Sequence, residues 1–535
     1  MGRGGIGAKT KGRGRPVYPG PYAQQHPERP AVILAETGAQ LTYSEFEARA
    51  NRLAHFLEAQ GLERLDHYAI FMENNLPYLE TCAAGERSGL YYTCINAYLT
   101  GSELAYILQN SESQVLITSR EKLAVAQEAL ADCPGIKTVL VVDGADVLPD
   151  ETRYQDYERA VAAFPEAPLA EEWLGTSMLY SSGTTGRPKG IIRPLPAQAP
   201  ADMLPLYYFL RDLWLYREDM IYLSPAPLYH SAPQAAVGLT LRIGGTVIVM
   251  AKFDPERYLA LIERYGVTHS QLVPTMFSRL LKLPEEARQI HNLKSLEVAV
   301  HAAAPCPVAV KQAMIEWWGP IIHEYYGATE GLGFAACNSE EWLAHPGTVG
   351  KIVLGELAVL DENNEPVPNG TSGTLWFKTA SEFAYHNDPE KTQEATSADG
   401  THTTVGDVGY VDDDGFLYLT DRKTFMIISG GVNIYPQECE DLLISHPWVA
   451  DAAVFGVPNV DLGEEVKAVV QLMPGIDEGE ATTEGLLAYL REHLSRQKLP
   501  RSIDYREALP RLPTGKLYKR LLRDEYWGDG PSKIV

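Results

Sequence analysis

Up to about residue 350, short apolar and β-branched runs alternate with stretches of helical periodicity, and this restricts the chain to layered α/β structure with largely parallel sheets. The run Ala31-Val32-Ile33-Leu34-Ala35 precedes Thr42-Tyr43-Ser44-Glu45, a capping box that opens a helix predicted to reach Leu57. Residues 115–118, 138–142 and 245–249 read as buried strands, and residues 255–265 read as a helix between strands. After residue 350 the texture changes to short strands and tight turns. Asp361-Glu362-Asn363-Asn364-Glu365 is one turn. Asp412-Asp413-Asp414-Gly415 separates Gly409-Tyr410-Val411 from Phe416-Leu417-Tyr418-Leu419, a hairpin signal.

From Ser429 onward the pattern is α+β, with helices expected at 436–445 and 483–494 and strands at 452–455 and 468–472. A chain of 535 residues exceeds a single ordinary core. The expectation is a large N-terminal domain (21–422) of layered α/β sheets with a small β-barrel-like subdomain, then a small mobile α+β C-terminal domain (423–535). Residues 1–20 are expected to be a disordered leader, because the first fifteen hold six Gly and five Lys/Arg with no acid.

The segment Ser181-Ser182-Gly183-Thr184-Thr185-Gly186-Arg187-Pro188-Lys189-Gly190 packs hydroxyls, glycines and a lysine into one turn after Met178-Leu179-Tyr180. Glycines let backbone N–H groups turn toward an anion, hydroxyls add donors, and the lysine supplies charge. That is the composition of a polyphosphate cradle. A Walker A loop needs Lys followed by Ser or Thr, whereas Lys189 is followed by Gly190.

Net charge is −24, which argues against nucleic acid and anionic lipid as general partners. The six cysteines lack C-x-x-C spacing and read as reduced thiols in a cytoplasmic protein. No apolar run approaches the roughly 20 residues of a membrane span.

Four further segments follow the cradle in order: Tyr325-Tyr326-Gly327-Ala328-Thr329-Glu330; Val405-Gly406-Asp407; Asp421-Arg422-Lys423 before Ile427-Ile428-Ser429-Gly430-Gly431; and Leu512-Pro513-Thr514-Gly515-Lys516. Together the five closely resemble the adenylate-forming superfamily of acyl-CoA synthetases, peptide-synthetase adenylation domains and luciferases, over roughly residues 42–526. The resemblance implies roles at the matching positions. Ser181, Ser182, Gly183, Thr184, Thr185, Gly186 and Lys189 would hold the β- and γ-phosphates of ATP. Tyr326, beside Tyr325 and Gly327, would stack on adenine, with Ala302, Ala303 and Ala304 closing the other side. Thr329 would bond the α-phosphate and Glu330 would hold Mg²⁺. Asp407 would accept from the ribose hydroxyls, assisted by Arg422. Lys516 would bridge the carboxylate and the α-phosphate, and Gly430 and Gly431 would line the channel for coenzyme A.

The residue types suit the chemistry. A carboxylic acid with pKa about 4 is already ionised at neutral pH and needs no general base. The obstacle is bringing that anion against a polyanion, so the work is charge neutralisation and alignment.

Residues 223–250 hold no Asp or Glu, and the resemblance places them, with 331–337, around the acyl group. An α-amino acid would need a buried carboxylate for its ammonium, so amino-acid activation is disfavoured. Ala232, Ala235, Ala236, Gly238, Gly331 and Gly333 suggest room for a large apolar acid, with residues 204–214 either extending that wall or forming a packed helix. His230 is either a gating ring or a satisfied core histidine. Only 19 residues follow Lys516, so the acceptor is expected to be free coenzyme A or a separate carrier protein. A homodimer stays open.

Two positions depart from the family pattern: Val405 stands where Thr is usual before Gly-Asp, and Thr424 occupies the hinge. The reading is an ATP-dependent acyl-CoA synthetase for a hydrophobic carboxylic acid. The rivals are a ligase loading a carrier protein and a non-catalytic nucleotide-binding protein of the same fold.

Overall fold

The computed structural model describes residues 18–181, 188–202, 205–378, 383–422, 425–429, 432–511 and 517–527. It divides into two compact units, one of Met1–Ser177, Leu195–Tyr222 and Gln234–Val249, the other of Met178–Pro194, Leu223–Pro233 and Met250–Val535.

The first unit contains a six-stranded, all-parallel sheet in the order Tyr154–Asp156, Thr138–Val142, Val115–Ser119, His67–Phe71, Tyr91–Cys94, Thr176–Ser177. Its three longest strands, 67–71, 115–119 and 138–142, are buried at every residue, as strands covered on both faces of a parallel sheet are. The helix Tyr43–Ala59 opens on the predicted capping box, Thr42 with Glu45, and runs two residues past Leu57. Arg242, the formal charge within 223–250, is buried here. Its guanidinium pairs with Glu86 at 3.0 Å and donates to the Pro200 carbonyl at 2.7 Å, which makes it a structural pin. The predicted strand at 31–35 is Pro30–Leu34, running parallel to Thr246–Val249.

In the second unit, His269–Leu272, Val298–His301 and Ile322–Gly327 run parallel, and the sheet continues antiparallel through Phe334–Cys337 and Gly350–Leu354. The hairpin expected around residue 412 is Asp407–Val411 with Phe416–Arg422, flanked by Gly373–Lys378 and Glu356–Leu360. This antiparallel portion has a core of its own, with Leu332, Ala335, Leu375, Phe377 and Leu417 at its centre.

A separate sheet carries the C-terminal region. Gly463–Leu472 pairs with Val449–Asn459, Ile427–Ser429 and Ser502–Tyr505. Strand alternation sends Ala452 and Val454 to one core with Leu443, Leu486 and Leu490, from the helices Gln437–Ser445 and Glu480–His493. Ala453 and Phe455 go to another with Leu522 of Lys519–Trp527. Burial on both faces explains the unbroken apolar stretches 452–455 and 468–470 within these strands. Among the described residues, no helix is long and apolar enough to cross a membrane.

Candidate active site

The cradle segment starts and ends on a hairpin. Leu179–Ser181 pairs antiparallel with Lys189–Ile192, and Ser181 lies opposite Lys189. Gly190 lets the strand pass close to its neighbours: a Cβ there would come 2.7 Å from the Met178 terminal methyl and 3.0 Å from the Tyr180 ring, so both would have to shift. Ser182, Gly183, Thr184, Thr185 and Gly186 lie outside the described residues.

Lys189 is half-buried, and its ammonium sits 4.7 Å from the centre of the Tyr385 ring. Burial, with Lys391 nearby, lowers its pKa. Tyr385 reaches this place because Ala384–Tyr385 pairs with the same strand, Tyr385 opposite Ile191. Its hydroxyl donates to Glu330 Oε1 at 2.9 Å, and Glu330 is buried. One tyrosine therefore joins the cradle's lysine to the carboxylate of the Thr329-Glu330 pair. Tyr385 was not anticipated from sequence, since a lone aromatic in an irregular segment has no periodic signature.

Parallel pairing of Val298–His301 with Ile322–Gly327 sets His301 beside Glu324. Ala302, Ala303 and Ala304 thus leave one strand next to the end of the strand that carries Tyr325, Tyr326 and Gly327. Ligands in α/β sheets are held at the carboxyl ends of such strands. Ala303 has φ +74°, a left-handed conformation that a β-carbon disfavours and that concentrates at functional turns. Tyr325 is stacked on Phe334 at 4.8 Å, and its hydroxyl accepts from Gln271 at 2.9 Å; burial pushes its pKa up to about 12. Tyr326 donates to Asp407 Oδ2 at 2.7 Å.

Asp407 is buried, and hairpin register puts it opposite Arg422, whose main chain alone is described. The residue before Val405 carries a hydroxyl that braces the turn. Thr404 donates to the Leu375 carbonyl at 2.7 Å and accepts from the Gly406 N–H at 3.0 Å, fixing the turn before Asp407. Val405 itself packs on the apolar core.

Past Glu330 the sequence expectation needs correction. A Cβ on Gly333 would lie 2.1 Å from the ring of the buried Phe377, so Gly333 admits a packed ring and does not create acyl volume. On the helix Ser231–Arg242, Ala232, Ala235 and Gly238 are half-buried and Ala236 is buried. His230 precedes that helix, its ring 4.3 Å from that of Tyr229. Of residues 204–214, Pro205–Leu213 is helical, with Leu210 and Trp214 buried and Tyr208 exposed. Lys516, Gly430, Gly431 and Thr424 lie outside the described residues. The flanks of 512–516 are joined by a bridge between Arg511 and Leu517, and Arg511 makes a bidentate pair with Asp451, Nε to Oδ2 and Nη2 to Oδ1.

The profile of the family described as AMP-binding enzyme matches residues 21–384, and that of the AMP-binding enzyme C-terminal domain matches 438–516. A long-chain-fatty-acid–CoA ligase, FadD13, of Mycobacterium tuberculosis is 30% identical over 516 residues, covering 95% of this chain and 97% of that protein. A fatty acid–[acyl-carrier-protein] ligase, ScoC, of Streptomyces coeruleorubidus is 28% identical, covering 96% of each. Among solved structures, ATP-bound MatB from Rhodopseudomonas palustris superposes with a TM-score of 0.78 at 28% identity, covering 95% of this chain and 99% of that one. The family match extends over more than half of the chain, the relatives align nearly end to end, and the described motif residues Lys189, Tyr326, Glu330 and Asp407 all lie in the second unit: this chain belongs to the family of AMP-binding enzymes, the adenylate-forming ligases.

Proposed function

We propose that the chain is an ATP-dependent acyl-CoA synthetase. It would activate a hydrophobic carboxylic acid as acyl-AMP, with release of pyrophosphate, and pass the acyl group to coenzyme A. The observation that carries this reading is the linked set Lys189–Tyr385–Glu330 together with Tyr326–Asp407, a cation, a fixed carboxylate and a ribose-type acceptor within one unit.

Lys189 would neutralise the β- and γ-phosphates, with the 181–186 segment donating around them. Glu330 suits a hard cation: it is a buried carboxylate with one oxygen held by Tyr385. Magnesium takes one or two carboxylates and completes its shell with phosphate oxygens and water. Bound there, Mg²⁺ would draw charge from the phosphates as the acid approaches. Tyr326, beside Tyr325 and Gly327, would face the adenine, closed by Ala302, Ala303 and Ala304. Asp407, with Arg422 opposite, would accept from the ribose. Thr329 would donate to the α-phosphate. Lys516 would then align the acid's carboxylate with that phosphate, and Gly430 and Gly431 would border the thiol's path. His230 would stand at the acid's side of the site.

An apolar acid is favoured by the absence of Asp and Glu from residues 223–250 and by the fatty-acid ligases among the relatives. We place the domain boundary at residues 422–423 and the protein in the cytoplasm. The second reading, a ligase that loads a carrier protein, is favoured by the likeness to ScoC. Incubating acids of graded chain length and ring system with ATP, and with either coenzyme A or a carrier protein, then weighing the products, separates the two. Absence of pyrophosphate release with every acid would refute both.

A further inference from the structure

The strand Lys189–Ile192 does more than hold one end of the phosphate cradle. Side chains alternate across a strand, so Lys189 and Ile191 share a face, and Tyr385, directly opposite Ile191, shares it too. Arg193 follows directly on the strand's last residue. Its Nη2 donates to the main-chain carbonyl of Thr329. The guanidinium also lies against Gly331, where a Cβ would come 3.2 Å from Nη2 and 3.5 Å from Cζ and Nε. Gly331 has φ +75°, and its N–H closes the turn on the Ala328 carbonyl at 2.9 Å. Tyr385 grips the same turn by the Glu330 carboxylate.

Arg193, just past this strand, and Tyr385, on the strand paired with it, therefore make two grips on a four-residue turn, one on a main-chain carbonyl and one on a side chain. The carbonyl that Arg193 holds belongs to the peptide joining Thr329 to Glu330. That peptide is planar, so fixing its carbonyl fixes how both residues project from it. A guanidinium suits the task, since it is permanently charged, forms strong hydrogen bonds to oxygen and lies flat on a residue with no side chain.

We infer that Arg193 is a positioning residue for the adenylation half-reaction, setting the Thr329 hydroxyl and the Glu330 carboxylate through the backbone between them. This rests on the proposed acyl-adenylate chemistry. Sequence inspection passes Arg193 over because its partner lies 136 residues away.

The test uses the full chain and the variants Arg193→Met and Arg193→Lys, with Arg193→Gln standing in should the methionine variant fail to fold. Acid-dependent ATP–pyrophosphate exchange, a magnesium titration and thioester formation from supplied acyl-adenylate are measured for each. Arg193→Met should lose about 10- to 100-fold in the exchange rate, the usual cost of removing a partner that orients a metal-binding side chain. Its KM for ATP should stay within about 3-fold, its magnesium requirement should rise, and thioester formation should change less than about 3-fold. Arg193→Lys, which keeps one charged donor, should recover most of the exchange rate. Exchange by Arg193→Met at the parental rate overturns the inference and leaves the function standing. Equal losses in both half-reactions without rescue by lysine overturn it as well, in favour of a purely structural residue. A parent enzyme that exchanges no pyrophosphate with any acid overturns the inference and the proposed function together.

Discussion

The Tyr326 hydroxyl is held by Asp407 Oδ2 at 2.7 Å, across 81 residues of sequence. Two groups expected to meet different parts of a nucleotide, the base and the sugar, are thereby one hydrogen-bonded unit. Tyr326→Phe keeps the ring and removes the bond, which is worth about 0.5–1.5 kcal/mol, or more where a carboxylate accepts. The expected outcome is a rise of roughly 3- to 10-fold in KM for ATP with kcat nearly unchanged. Steady-state kinetics with ATP varied checks it, and a fall in kcat at unchanged KM would place Tyr326 elsewhere in the cycle.

Glu330 and Tyr385 should separate in a magnesium titration. Glu330→Gln keeps the shape and removes a hard anionic oxygen, so activity should drop far more than ATP binding, with a raised magnesium requirement. Tyr385→Phe keeps the ring beside Lys189 and frees only Glu330 Oε1. Its magnesium requirement should shift the same way by a smaller factor, about 2- to 10-fold. Titration curves superimposable on the parent's for Glu330→Gln would mean that this carboxylate is structural.

Asp451 controls the base of the segment that contains Lys516. It pairs with Arg511, and the strand it belongs to is held by Lys282, whose ammonium donates to the carbonyls of Val449 at 3.1 Å and Ala450 at 3.0 Å. Lys516→Ala should abolish adenylation and largely spare thioester formation from supplied acyl-adenylate. Asp451→Asn should do the same in weaker form, about 10-fold in the first half-reaction, by loosening the segment's anchor. Matching losses in both half-reactions would show that Asp451 serves folding alone.

The buried His301 gives a stability signature. It faces Glu324 at 3.5 Å and Lys311, whose ammonium is 2.5 Å from the same carboxylate. Burial, reinforced by Lys311, holds the imidazole's pKa well below the ordinary histidine value. As the pH falls below about 6.5 the unfolded chain takes up this proton and the folded chain does not, so acid favours unfolding. The stabilising share is complete above about pH 6.5 and is lost as the pH falls toward the folded value, by at most about 1.4 kcal/mol per pH unit. Denaturant unfolding at about pH 7.5, 6.5 and 5.5 should therefore show a steeper acid loss for the parent than for His301→Gln. Parallel profiles would count against a neutral buried ring.

What was legible in the sequence was whatever neighbouring residues decide. The helix Pro255–Tyr265 was placed to the residue, because Asp254 caps its start, proline occupies its first turn and Gly266 ends it in a left-handed conformation. The capping box at Thr42 is equally local. The motif segments stood out by composition, since phosphate cradles draw on few residue types. Tyr385 and Arg193 were invisible for the opposite reason: sheet pairing brings them to Glu330 and Thr329 from 55 and 136 residues away. Gly333 was misread because a glycine that leaves space and one that admits a neighbouring ring look the same until Phe377 is in place.

The left-handed turn at Ala303 has an evolutionary consequence. A β-carbon at φ +74° raises the energy of the folded state by about 1–2 kcal/mol, a penalty that glycine would avoid. Selection for heat resistance alone would push this position toward glycine, while selection for a stiff wall at the proposed adenine position would keep the methyl group. Thermostable descendants of this chain should therefore tend to pass through site-loosened intermediates, unless stabilising changes arise first in the parallel sheet of the other unit.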